Sequence, residues 1–107
     1  MWTTKIGTAK RLDLGLGFSG ALVNFVDLVD PVLEIRLRNR PLDTPLVFPV
    51  TAYTGELTTT FNASVEFTWG EIVPGVYLAE VDAVYGGELI TFPDTSYLLL
   101  QFIQGLN

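Results

Sequence analysis

Glu80 and Asp82 stand two residues apart in Val76–Tyr85, a stretch where apolar and polar side chains alternate. Positions i and i+2 of a strand share a face. The two carboxyls therefore form a pair of the kind glycosidases use, one as acid and the other as base or nucleophile. That chemistry also needs a cleft of set width and one carboxyl of raised pKa. A chain of 107 residues folded as a sandwich offers little cleft, and the pair reads as solvated. Asp27 and Asp30, joined by Asp13 or Glu34, could give oxygen ligands to a hard cation. They lack the dense Asp/Asn/Gly spacing of a calcium loop and read as solvated loop acids. Ser19, Ser64 and Ser96 carry hydroxyls with no imidazole to deprotonate them, because the chain has no histidine. Gly15-x-Gly17-x-x-Gly20 has the spacing of a dinucleotide fingerprint, which works only between a strand and a helix N-terminus in a βαβ unit. Antiparallel strand signals follow it here, which assigns the glycines to turns or bulges. Asn62-Ala63-Ser64 is a formal glycosylation sequon, meaningful only in a secreted eukaryotic protein. No catalytic, cofactor-binding or metal-ligating residue is expected.

The composition narrows the classes further. With no cysteine, the chain has no disulfide, thiolate nucleophile or zinc–thiolate site. A pI near 4.3 opposes nucleic-acid binding, which needs a basic footprint. No apolar run reaches the roughly 18 residues of a membrane helix, and the segment Met1–Lys5 lacks the order of a signal peptide. All six basic residues lie in the first forty positions, at Lys5, Lys10, Arg11, Arg36, Arg38 and Arg40. With four acids that segment is at +2, whereas residues 41–107 carry eight acids and no base, a net −8. Such polarity suits a subunit whose basic edge meets an acidic face of a neighbour. At 17% charged and a mean hydropathy of +0.39, apolar residues are expected on the surface, where they mark contacts.

The elements that would position these groups are short strands. Leu33, Ile35 and Leu37 alternate with Glu34, Arg36 and Arg38; Val65, Phe67 and Trp69 alternate with Glu66 and Thr68. Tyr77, Ala79, Val81 and Ala83 take one face of Val76–Tyr85, and Gly86-Gly87 is a two-residue hairpin signal. Glu88–Phe92 is the return arm, and Tyr97–Ile103 is the last strand. Pro49 makes Leu46–Tyr53 an edge or bulged strand. Ala21–Val29 fits either a short helix ending before Pro31 or an extended segment, and its β-branched residues favour the latter. Phe67, Trp69, Tyr77 and Phe92 fall on core phases. Trp2 and Phe18 fall outside any pattern and read as contact residues. The fold expected is an all-β, immunoglobulin-like antiparallel sandwich, one domain over residues 1–107, with an N-terminal contact arm or insertion over about 1–30.

Val65-x-Phe67-Thr68-Trp69, Pro74-Gly75-Val76-Tyr77-Leu78-Ala79-Glu80, Gly86-Gly87, Thr91-Phe92-Pro93-Asp94 and Tyr97 together form a recognisable run. Over about residues 60–104 it resembles the Ig-like N-terminal domain of phage baseplate upper proteins and the small Ig-like domains of other phage virion proteins. Residues 1–30 depart from that pattern. The resemblance implies a non-enzymatic structural subunit of the virion. A chain ending at Asn107 suits a capsid decoration (cement) protein or a small neck, tail or baseplate component. Its expected partners are other virion proteins and further copies of itself, with no cofactor, nucleic acid or membrane. Trp2, Phe18, Leu22, Phe25, Arg36, Arg38 and Arg40 are the expected contact residues. The alternative is a carbohydrate-binding module for a cell-surface glycan, with Tyr53 and Tyr85 as stacking platforms.

Overall fold

A computed structural model describes residues 1–8, 10–40 and 42–105. In chain order the strands are β1 (Trp2–Lys5), β2 (Arg11–Leu14), β3 (Gly17–Phe18), β4 (Ala21–Leu22), β5 (Val29–Leu37), β6 (Leu46–Pro49), β7 (Thr51–Ala52), β8 (Ala63–Glu66), β9 (Gly75–Tyr85), β10 (Glu88–Phe92) and β11 (Leu98–Ile103). The longest, β9, shows why the chain folds this way. Tyr77, Ala79, Val81 and Ala83 are buried while Val76, Leu78, Glu80, Asp82 and Val84 are partly exposed, the period-2 pattern of a strand with one wet face. Gly86 and Gly87 then take φ of 61° and 83°, as a two-residue hairpin turn requires. They return the chain as β10, in register from Glu88↔Tyr85 to Phe92↔Val81.

Two sheets result. The larger runs β1-β11-β9-β5-β6, with β10 pairing the second half of β9; the smaller runs β2-β8-β7. In immunoglobulin lettering β2, β8 and β7 stand as strands B, E and D, and β11, β9, β5 and β6 as G, F, C and C′. The architecture is an all-β sandwich. One pair departs from the antiparallel expectation: β1 lies parallel to β11, from Trp2↔Leu100 to Lys5↔Ile103. Parallel neighbours need a long crossover, and the rest of the domain separates these two.

Tyr77 secures the entry to β9. Its hydroxyl donates to the Val73 carbonyl at 2.9 Å and accepts from the Val73 amide at 3.2 Å. This is the tyrosine corner of immunoglobulin sandwiches, a strand-F tyrosine two residues before the usual second cysteine. That cysteine position is Ala79, and the inward side chains of β2 are Leu12 and Leu14. Apolar packing here occupies the place of the inter-sheet disulfide. At this end Phe102, 1% exposed, meets Trp2, Phe67, Trp69 and Tyr77 edge-on at centroid distances of 5.3–6.2 Å. Edge-to-face contact is a favourable aromatic geometry. At the other end Phe18 packs on Phe92 and Tyr85.

Residues 1–30 are built into the sandwich rather than forming an arm. β1 and β2 join the two sheets, and β3–β4 is a small hairpin turned at Ser19-Gly20, both at positive φ. Within the glycine motif, a Cβ at Gly17 would lie 2.1 Å from the Ala21 carbonyl oxygen, so the close hairpin explains that glycine. Ala21–Val29 is extended apart from one 3₁₀ turn at Phe25–Asp27. β5 begins at Val29, before Pro31, through a register shift between Val29 and Val32 with Asp30 at φ 49°. Proline is tolerated at such a bulge. The run Leu46–Tyr53 divides: β6 edges the larger sheet and β7 the smaller, with exposed Pro49 at the end of β6.

Asn62 clamps the hairpin segment onto β8. Its Oδ1 accepts from the Leu16 amide at 2.8 Å, and its Nδ2 donates to the carbonyls of Leu16 at 2.9 Å and Val23 at 2.7 Å. Two substitutions test these devices by urea denaturation. Tyr77→Phe is expected to cost about 1 kcal/mol. Asn62→Ala, which leaves the Leu16 amide and the Val23 carbonyl without a partner while the Leu16 carbonyl keeps the Val23 amide, is expected to cost about 2 kcal/mol.

Candidate functional site

The outer face of the larger sheet collects the chain's unusual groups, and strand register decides which of them meet. Because β5 and β9 run antiparallel, Val32 stands opposite Asp82, Glu34 opposite Glu80, and Arg36 opposite Leu78. β6 extends the same rows with Pro49 beside Val32 and Val47 beside Glu34. On the other flank Leu99 stands beside Leu78, Gln101 beside Val76, and Ile103 beside Lys5. Beyond the acids, Val29, Val84 and Leu89 form a row across β5, β9 and β10. From one end to the other the face therefore runs apolar, acidic, then mixed arginine and apolar.

Glu34, Glu80 and Asp82 bring carboxylate oxygens within 4.8 Å of one another, all three residues half-buried. Burial pushes the Asp82 carboxyl up to about 7, and a side-chain hydrogen bond with Glu34 and the charges of Glu80 and Glu34 add to the rise. Asp82 Oδ1 is buried without a hydrogen-bond partner among the described residues. Three carboxylates this close are easier to hold with a shared proton than fully ionised. A hard cation could take one oxygen from each. However, Arg36 lines the same recess with Glu34, Leu78, Glu80 and Tyr97, where a cation would be repelled. The recess measures about 60 Å³, whereas small-molecule sites usually occupy about 300–1,000 Å³.

The residues singled out in the sequence fall in three places. Arg36 follows Glu34 along the outer side of β5; Arg38 lies in the turn just past the strand, its amide bonded to the Val76 carbonyl in continuation of the β5–β9 register. Arg40 is further on, paired with Asp43 at 3.1 Å. Phe18, Leu22 and Phe25 gather at the hairpin end, Phe18 exposed and the other two partly buried. Trp2 lies at the opposite end, stacked on Phe67 and covered by Lys10. Of the suggested cation group, Glu34 has joined Glu80 and Asp82 instead. Asp13 bonds Arg11 and Ser64, and Asp27 and Asp30 are exposed elsewhere.

The aromatic platforms are already engaged. Tyr53 packs against Phe61 and under the Arg11 guanidinium, and Tyr85 packs against Phe18. The sequon asparagine is also committed, since both carbonyl bonds from Nδ2 would have to break to free it. Sequence reasoning found the Glu80/Asp82 pair but missed that Glu34 completes it. Only the β5–β9 register brings the three together, although the alternation around Glu34 had already placed it on an outer face. The chain matches no protein-family model, no curated protein and no solved structure.

The sign of the Asp82 effect is testable. Its pKa is about 7 in the fold against 3.8 as the reference, so the folded state holds the extra proton between those values. Stability from this group thus falls as pH rises from about 4 to about 7 and is level above. Asp82→Asn should stabilise the protein at pH 8 by about 1–2 kcal/mol, the scale of relieving one poorly satisfied buried acceptor. The gain should shrink toward pH 5 when urea midpoints are compared.

Proposed function

We propose that this sandwich is a non-enzymatic contact subunit of a bacteriophage particle, a capsid decoration protein or a small tail, neck or baseplate component. The observation that carries the reading is the outward row Val29–Val84–Leu89, in which Val29 is 54% and Leu89 74% exposed. Val47, Tyr97, Leu99 and Ile103 continue the exposed apolar surface around the charged groups. Contiguous apolar surface beyond a few hundred Å² marks interaction sites. The whole chain leaves 6740 Å² accessible, against roughly 5,900 Å² for a compact monomer of this mass. The phage assignment rests on the resemblance of residues 60–104 to Ig-like virion domains, which the immunoglobulin connectivity supports. Function in this reading is adhesion. Apolar rows supply the buried area, and the interleaved acids and arginines fix orientation.

Purified chain incubated with phage particles stripped of it is expected to co-sediment with them. Leu89→Asp, at an exposed hairpin position, should lower the bound fraction at least tenfold. Absence of binding to any stripped particle, together with selective capture of a glycan on an array, would replace this reading with the carbohydrate-module alternative.

A further inference from the structure

The charge on the outer face of the larger sheet differs from that of the chain as a whole. The full sequence carries a net −6. The outer face carries the acids Glu34, Glu80 and Asp82 and, on the other side of the middle, the bases Lys5 and Arg36, with Arg38 at its edge, where the Arg38 amide bonds the Val76 carbonyl. In formal charge it is therefore balanced, and the formal net charge lies on the rest of the surface. Arg38 is exposed and forms no ion pair among the described residues. A partner dominated by one sign of charge would oppose one half of this face. A partner with the same two halves in reverse order would match both.

We propose that this face is self-complementary and that two copies of the chain dimerise through it. The two-fold axis lies in the plane of the face and crosses the strands between the Glu34–Glu80 row and the Arg36–Leu78 row. That axis keeps each strand over its own copy and reverses the order of rows. Arg36 and Arg38 of each copy then stand over the acids of the other. The apolar end carrying Leu89 covers the end carrying Ile103. Sheets packed face to face are turned by about 30°, which moves the arginines of β5 from over β5 toward the acids of β9. The area is adequate. The strands of the larger sheet hold 4 to 11 residues each and 39 together, which at about 3.3 Å per residue and about 4.8 Å between strands gives roughly 600 Å² of flat face. A standard interface uses about 800 Å² per partner. The proposal deepens the contact reading by naming one partner and one face.

Sedimentation equilibrium of the intact chain tests it with two charge reversals. Wild type should dimerise with increasing concentration, less so at high salt. Arg38→Glu places a fourth acid over the acidic row, and Glu80→Arg places a further base over the arginines. Each alone should raise the dimer dissociation constant at least tenfold. Mixed in equal amounts, the two variants should associate with near wild-type strength, because each charge then meets its opposite in both halves. Restored association also demonstrates that both variants are folded. Leu89→Asp should weaken the dimer without rescue by either reversal. A wild-type chain that stays monomeric at several hundred micromolar overturns the proposal, as does a dimer indifferent to both reversals. A monomer that still sediments with stripped particles removes the dimer and leaves the contact function standing. A dimer that binds no particle does the reverse.

Discussion

One strand constrains nearly everything else. β9 is paired on both sides along most of its length, with β5 on one flank and with β11 followed by β10 on the other. A strand so placed has no free edge, and its only choice is which side chains face the core. Tyr77, Ala79, Val81 and Ala83 make that choice with small residues between larger neighbours, which lets the opposing sheet approach. Because the side-chain period is two, this selection leaves Glu80 and Asp82 on the outside. The half-buried acids are therefore a consequence of the core pattern as much as a feature of the surface. A slip by one residue would bury both, which makes the register strongly specified.

The two ends of the sandwich are closed by different means. At the Phe102 end four aromatic rings surround one, and the Tyr77 hydroxyl ties the preceding corner to β9. At the hairpin end a single amide, Asn62, holds backbone groups of two segments that regular pairing does not reach. These devices matter because no disulfide joins the sheets. Leu12, Leu14 and Ala79 contribute only burial there, worth about 1.5–3 kcal/mol for each large side chain removed from water. Loss of either closure is felt by the whole core, since a domain of this size is stable by only about 5–15 kcal/mol.

What could be read in the sequence was what a short stretch determines by itself. The alternation of β9, the Gly86-Gly87 turn, the extent of β10 and the core phases of Phe67, Tyr77 and Phe92 all follow from local periodicity and turn chemistry. Register and side-chain hydrogen bonding between distant segments were not legible. Glu34 looked like one acid among several near Asp27 and Asp30 until pairing set it opposite Glu80. Asn62 matched a modification motif because its neighbours were Ala63 and Ser64, whereas its bonds go to Leu16 and Val23. Tyr77 was placed in the core correctly, but its hydroxyl needs Val73, and the tight corner is not visible in spacing. The early start of β5 was hidden by Pro31, which normally argues against a strand interior and here sits at a bulge.

Pairing also changes the meaning of the charge map. Along the chain the bases come first and the acids later, which suggests a basic patch set against an acidic remainder. Antiparallel pairing of β5 with β9 instead brings an early segment and a late one side by side. Arginines from the first forty residues now neighbour carboxylates from the last thirty, within one face. Elsewhere the acids outnumber the bases nine to three, so two copies approaching by the remaining surface meet, on average, net like charge. Repulsion of that kind is weak at close range in salt but decides orientation during encounter. In the proposed dimer, the outer face of the larger sheet is the approach that net charge opposes least. It also carries the apolar rows of Val29, Val84 and Leu89, so in that dimer the electrostatic and hydrophobic terms act on one surface.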